Sequence, residues 1–249
     1  MIVRSVVNFL LMVTALCGSR TAALDTRIIN GTLASNGKYP YHVALNSTTV
    51  GYLCGGSIVN PRWILTAAHC FNKPNVFTIL VGTNKLSSGG QTYDVETIKR
   101  HPSYNIQTLL YDVAVVKTTT AIIFSPTVQP ITLATVLPLP GTEAFLVGWG
   151  WITYPSNTVP NELQFLNTTL ISRLMCQISF LGMIPIPATH ICAFKQQTGA
   201  CKGDSGGALV ANNVQIGITS FGEPCAIGYP DAYTNVPFVY SWIIENIPI

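Results

Sequence analysis

From Tyr41 to Asn235 the chain is a succession of apolar or alternating runs of four to nine residues, each closed by turn-forming residues. The first series comprises Tyr41–Leu45, Gly56–Asn60, Trp63–Ala67, Phe77–Val81, Thr92–Lys99 and Val113–Lys117. Asn60-Pro61, Lys73-Pro74-Asn75, Ser87-Ser88-Gly89-Gly90 and His101-Pro102-Ser103 separate them. A second series follows: Ala144–Gly148, Leu163–Ile171, Ala208–Ala211, Val214–Phe221 and Ala232–Asn235. Strands at this spacing, almost without helical periodicity, predict an all-β barrel or sandwich. The proline-rich stretch from Pro126 to Pro140 divides the two series and reads as an interdomain connection. The chain is therefore one loop-rich β-protein or two small barrels sharing a cleft. One helix is expected at the end, where Pro237 suits a first turn and Phe238, Trp242 and Ile243 fall on roughly one face.

The N-terminus reads as a secretory signal. Arg4 supplies the positive region, Val6 to Leu16 the apolar core, and Cys17-Gly18-Ser19 or Thr21-Ala22-Ala23 a small-residue cleavage site. The signal is placed at 1–19, its end falling between 18 and 23. An N-terminal anchor is the alternative, but the apolar run is short for a membrane span. Of seven cysteines, Cys17 lies in this segment, and the other six make an even set suited to disulfides in a secreted chain. Counting alone leaves fifteen pairings open. No Cys-x-x-Cys occurs and the four histidines lie far apart, so no metal and no cofactor is expected. The net charge of +3 is spread without runs, which argues against nucleic-acid binding.

Three stretches carry chemistry. Gly203-Asp204-Ser205-Gly206-Gly207 sets a serine among glycines, which permit an open turn whose N–H groups point outward together. By itself this could be a polar loop. A nucleophilic serine also needs a base, and the base an orienting carboxylate. Thr66-Ala67-Ala68-His69-Cys70 and Tyr111-Asp112-Val113-Ala114 offer both. Near the start, Arg27 precedes Ile28-Ile29-Asn30-Gly31; a trypsin-like enzyme could cut after it, but taken alone it reads as an exposed basic residue ahead of a strand.

Together with Cys54-Gly55-Gly56-Ser57 and Trp63-Ile64-Leu65, these blocks resemble the chymotrypsin-like serine endopeptidase zymogens in order, spacing and completeness, over about 28–249. The flavour is that of the secreted arthropod enzymes. The resemblance implies two antiparallel six-stranded Greek-key β-barrels, with the active site in the cleft between them, a boundary near 126–140 and a C-terminal helix. It implies a propeptide over 20–27 and a peptidase domain over 28–249. Ser205 would be the nucleophile, His69 the base and then acid, and Asp112 its orienting carboxylate. The N–H groups of Gly203 and Ser205 would form the oxyanion hole. Cleavage after Arg27 by a trypsin-like protease would free the amino group of Ile28 to pair with Asp204. The disulfides implied are Cys54–Cys70, Cys176–Cys192 and Cys201–Cys225. His42, His101 and His190 lack such context and are read as structural or surface residues.

By the same resemblance the substrate pocket is built from Gly199, Ser220, Phe221, Gly222 and Asp231. Gly199 stands where trypsin-like members carry an aspartate, so a plain trypsin preference is not expected. A glycine floor with Asp231 at the back resembles the crab collagenases and some insect chymotrypsins. Either Asp231 receives a cation from the side, or it faces away and the pocket is simply apolar. The expectation is a chymotrypsin-like preference with broad tolerance. Sequons stand at Asn30, Asn46 and Asn167, the last two being the glycosylation candidates. The loop from Thr83 to Tyr93 lacks the acidic cluster calcium needs. The chain is thus expected to be a secreted, monomeric digestive endopeptidase acting on proteins or peptides and open to protein inhibitors. The alternatives are a catalytically silent homologue that serves as a binding protein, and a collagenolytic enzyme acting on host tissue.

Overall fold

The computed structural model describes residues 31–73, 75–156, 158–180, 184–223 and 225–248. The expected signal, propeptide, Arg27, Ile28 and Asn30 lie outside the described residues. Six strands form a first closed barrel: β2 (His42–Ser47), β3 (Gly51–Asn60), β4 (Trp63–Thr66), β5 (Phe77–Val81), β6 (Gln91–Arg100) and β7 (Ala114–Thr118). Around the ring they run β2-β3-β4-β7-β6-β5. A second ring uses β9 (Glu143–Gly148), β10 (Gln164–Ile171), β11 (His190–Phe194), β12 (Ala208–Ala211), β13 (Val214–Phe221) and β14 (Asp231–Asn235). It runs β9-β10-β11-β14-β13-β12 and closes through the pairing of β12 with β9. Both rings therefore share one strand order. Closure removes the open edges that sheets of this composition would otherwise expose.

Two short strands link the rings. β1 (Thr32–Leu33) pairs with β10 of the second barrel although it precedes the first, and β8 (Thr132–Leu133) pairs parallel to β13. Each barrel has its own apolar core. A third cluster joins Ala44 and Leu80 of the first barrel to Val147, Ala208 and Val210 of the second, with Trp149 beside them. Across this boundary the hydroxyl of Ser57 donates to Gln215 Oε1 at 2.6 Å, both residues being fully buried.

Two helices complete the fold. α1 (Arg173–Ser179) was not expected, yet Ser172 caps it by accepting from the Met175 N–H, a signal visible in the sequence. α2 (Val236–Asn246) carries Pro237 in its first turn, as expected. Its buried face differs from the expected one. Val236, Val239 and Ile243 face the core, while Phe238 is exposed. Trp242 packs partly against the core and meets His101 (ring centroids 4.9 Å), while Phe238 lies against Tyr111 (6.1 Å), beside the loop that carries Asp112. Among the described residues no helix is long and apolar enough to cross a membrane.

Replacing Gln215 by Leu keeps its volume and strands the buried Ser57 hydroxyl, which costs about 1–3 kcal/mol. Thermal unfolding should show that loss, and adding Ser57→Ala to the same chain should restore part of it. Equal stability of Gln215→Leu and the parent chain contradicts the bridging role.

Candidate active site

His69 sits in a one-turn 3-10 helix, Ala68–Phe71, directly after β4. The Cys54–Cys70 disulfide ties this turn to β3. Asp112 ends the loop before β7 and is fully buried. Its Oδ1 accepts the backbone N–H of His69 at 2.9 Å, and its Oδ2 lies 2.7 Å from His69 Nδ1. The first barrel thus fixes both position and tilt of the imidazole, which stays about one-fifth exposed. The second barrel reaches the same carboxylate. Ser220 Oγ donates to Asp112 Oδ2 at 2.6 Å, and Thr234 Oγ1 donates to the Asp112 carbonyl at 2.8 Å. Sequence reasoning put Ser220 in the pocket wall and missed this bond, and it missed Thr234 entirely. Neither contact has a local sequence signal, because each spans more than a hundred residues.

Ser205 is half-buried at the mouth of the loop before β12. The Gly55 N–H on β3 donates to its carbonyl at 2.8 Å, so the first barrel also grips the serine loop. That grip demands glycine next door: Gly206 has φ +78°, and a Cβ there would collide with Thr66 Oγ1. The N–H of Asp204 turns inward to the Cys201 carbonyl, and Tyr52 Oη donates to the Gly203 carbonyl at 2.6 Å. The N–H groups of Gly203 and Ser205 have no acceptor among the described residues. Two unsatisfied donors beside a serine hydroxyl form a site for a developing oxyanion.

Asp204 is buried beneath this loop. Its carboxylate accepts from the N–H groups of Gly150 and Cys201, both at 2.8 Å, and leaves no room for a Cβ at Gly148 or Gly150. Among the described residues no cation pairs with it, and burial pushes its pKa up to about 7. The three disulfides pair as expected, Cys54–Cys70, Cys176–Cys192 and Cys201–Cys225. Cys54, His69 and Cys70 cluster within 4.8 Å, but the disulfide occupies both sulfurs, leaving one nitrogen as a metal ligand.

Ser205 borders two hollows. One, of about 420 Å³, contains His69, the Cys54–Cys70 bridge, Leu53 and Phe77. The other, of about 300 Å³, is lined by Ser220, Phe221, Gly222, the Cys201–Cys225 bridge and Asp231. Asp231 does not face away. From β14 its carboxylate lies over Gly199 and Gly222, 3.2 and 3.0 Å from where their Cβ atoms would be, and accepts the Ala200 N–H at 2.8 Å. Burial, and secondarily the nearby Asp204, raises its pKa to about 7.

Of the remaining histidines, His42 lies beside Gly55, whose N–H grips the Ser205 carbonyl, its ring 3.0 Å from where a Gly55 Cβ would be. His42 is buried against Trp149 (centroids 5.1 Å), and burial holds its pKa down at about 3. His101 stacks on Tyr111 at 4.5 Å. His190 is buried, its Nε2 3.1 Å from the Leu109 carbonyl and its ring edge-on to Phe221. It therefore braces the Asp112 loop and the pocket wall, a closer connection to the site than its sequence context gave.

The trypsin family profile matches residues 28–243. Trypsin delta of Drosophila melanogaster is 38% identical over 227 residues, covering 90% of this chain and 89% of that protein. Trypsin of Sarcophaga bullata is 37% identical over 247 residues, covering 96% of each. Among solved structures, neuropsin, a serine protease expressed in the limbic system of mouse brain, superposes with a TM-score of 0.82. It is 29% identical, with 88% of this chain and 99% of that one covered.

The buried Asp231 yields a pH signature. Its folded pKa, about 7, lies above the 3.8 of the free side chain, so the folded chain holds the proton more tightly than the unfolded one. The stability this gives is complete below pH 3.8 and is lost as pH rises through about 7. Melting temperatures of the parent and Asp231→Asn should therefore diverge between pH 4 and pH 7, the variant gaining on the parent. A constant difference across that range contradicts the buried placement.

Proposed function

The chain belongs to the trypsin family and is a serine endopeptidase, and on that premise we propose that it is a secreted, digestive enzyme activated by cleavage after Arg27. Ser205 is the nucleophile, His69 the general base and Asp112 the orienting group. The observation that carries this assignment is the shared carboxylate: one oxygen of Asp112 takes the His69 backbone N–H and the other faces Nδ1. That geometry selects the tautomer with the proton on Nδ1 and leaves Nε2 basic.

In the reaction, Ser205 Oγ attacks the scissile carbonyl carbon while His69 Nε2 takes the hydroxyl proton. The carbonyl oxygen gains the charge and is met by the N–H groups of Gly203 and Ser205, each worth roughly 3–4 kcal/mol by analogy with single-donor removal. His69 then protonates the leaving amine as the C–N bond breaks, and the acyl group stays on Ser205. Water, deprotonated by His69, releases the acid and restores the serine. Asp204 is the partner for the amino group of Ile28 created by activation, which fits a buried carboxylate without a cation among the described residues. The partners are protein or peptide substrates, a trypsin-like activating protease and protein inhibitors, and the enzyme works as a monomer.

The 300 Å³ hollow receives the side chain before the cut bond. Asp231, its pKa near 7, is neutral beneath an apolar side chain and ionises when a guanidinium or ammonium arrives. The preference is therefore broad, taking large apolar and basic residues alike.

Matched peptides differing only at the residue before the bond, Phe, Leu, Arg or Ala, test this on protein cut after Arg27. Phe, Leu and Arg should all be cleaved faster than Ala, and the Arg-to-Phe ratio should climb from pH 6 to pH 8. Asp231→Gly should abolish Arg cleavage and spare Phe. Failure to cleave any peptide, with Ile28 confirmed as the N-terminus, favours the binding-protein alternative.

A further inference from the structure

On the outer face of the second barrel lies a hollow of about 610 Å³ that the peptidase reaction does not use. Tyr39, Tyr41, Phe145 and Phe165 line it, with Lys38 at one side and Asn167 at its rim. The rings of Phe145 and Phe165 stand 5.4 and 5.7 Å from that of Tyr39, and Lys38 Nζ caps Phe165 at 4.6 Å. The Tyr41 hydroxyl is buried with no hydrogen-bond partner among the described residues. Tyr39 and Tyr41 are buried in the cluster between the barrels, and Phe145 and Phe165 pack against it half-buried, so part of each phenyl ring still meets solvent.

Strand register sets Asn167 beside these two phenyl rings. Alternation along β10 turns Leu166, Thr168 and Leu170 inward and Phe165, Asn167 and Thr169 outward. Phe145 of β9 is the direct cross-strand partner of Asn167. Asn167 therefore stands between two outward phenyl rings, one beside it along the strand and one across from it. It is exposed and opens the sequon Asn167-Thr168-Thr169. Asn46, the other candidate, is half-buried at a register shift within the first barrel.

We propose that Asn167 carries an N-linked glycan whose first N-acetylglucosamine lies over Phe145 and Phe165 and closes the aromatic hollow. A pyranose presents one face of C–H groups, and laying it on phenyl rings removes apolar surface from water on both sides. Its hydroxyls and acetamide stay at the wet edge, and a neutral sugar leaves the Lys38 cation undisturbed. The inference rests on the secretory reading, because the glycan is added in the secretory pathway.

The full chain, secreted from insect cells, should show hexosamine-based mass on the peptide containing Asn167. Trimming with an endoglycosidase that leaves the first sugar should keep the melting temperature. Asn167→Gln should lower it by about 2–4 °C, the scale of one ordinary contact in a chain of this size, without changing peptide cleavage. In a Phe145→Ser background the Asn167→Gln shift should vanish. The acetyl methyl of the first sugar should also show an upfield ring-current shift by NMR, which needs no variant. A secreted, active enzyme with bare Asn167 overturns the proposal alone, as does a glycan whose methyl resonates at its free position. Retention of an unglycosylated chain inside the cell overturns the secretory reading with it.

Discussion

Asp112 is fully buried and takes hydrogen bonds from both barrels: His69 from the first, Ser220 and Thr234 from the second. A carboxyl group buried this deeply is tolerable only when its oxygens have hydrogen-bond partners. The barrels must therefore meet with hydrogen-bond precision along one line. The grip of Gly55 on the Ser205 carbonyl and the Ser57–Gln215 bond lie along the same boundary. The serine belongs to one barrel and the histidine to the other, so the site exists only where they dock. Two copies of one strand order give two rigid walls, and the chemistry is placed at their seam.

A second buried carboxylate constrains the loop in a different way. Asp204 has two N–H donors and no cation among the described residues, and burial raises its pKa to about 7. A charge in that position is costly until a cation arrives. Asp204 neighbours Ser205 and shares the turn with the N–H groups of Gly203 and Ser205. Asp231 repeats the logic in the adjoining hollow, its carboxylate waiting on a single N–H. Two buried carboxylates thus lie close to the serine, Asp204 beneath its loop and Asp231 in the adjoining hollow, and burial raises the pKa of both.

Much of this was legible in the sequence. Short apolar runs bounded by Gly, Pro and Asn located most barrel strands, whether they alternate like β10 (Gln164–Ile171) or are buried throughout like β4 (Trp63–Thr66) and β12 (Ala208–Ala211). Three strands escaped notice: β11 (His190–Phe194) is a five-residue segment that includes His190, Cys192 and Ala193 and has no run of β-branched residues, and β1 and β8 are two residues long. Of the expected helix face, Ile243 is buried and Trp242 packs partly against the core, whereas Phe238 is exposed and lies against Tyr111 beside Asp112. The motif residues His69, Asp112 and Ser205 carried a local signature, whereas Ser220, Thr234, Tyr52 and His190 act through bonds of long sequence separation. The orientation of Asp231 was open for the same reason: only the missing side chains of Gly199 and Gly222, brought together by the fold, make room for it.

The most direct measurement is the labelling of the protein by a fluorophosphonate, which phosphonylates only an activated serine, before and after a single cut between Arg27 and Ile28. One adduct on Ser205, formed rapidly after the cut, slowly before it and at least a thousandfold more slowly in Asp112→Asn (roughly the loss seen when such a carboxylate is neutralised), is the predicted result. Equal labelling of cut and uncut chain contradicts the role given to Asp204. An unreactive Ser205 in the correctly cut protein contradicts the nucleophile itself.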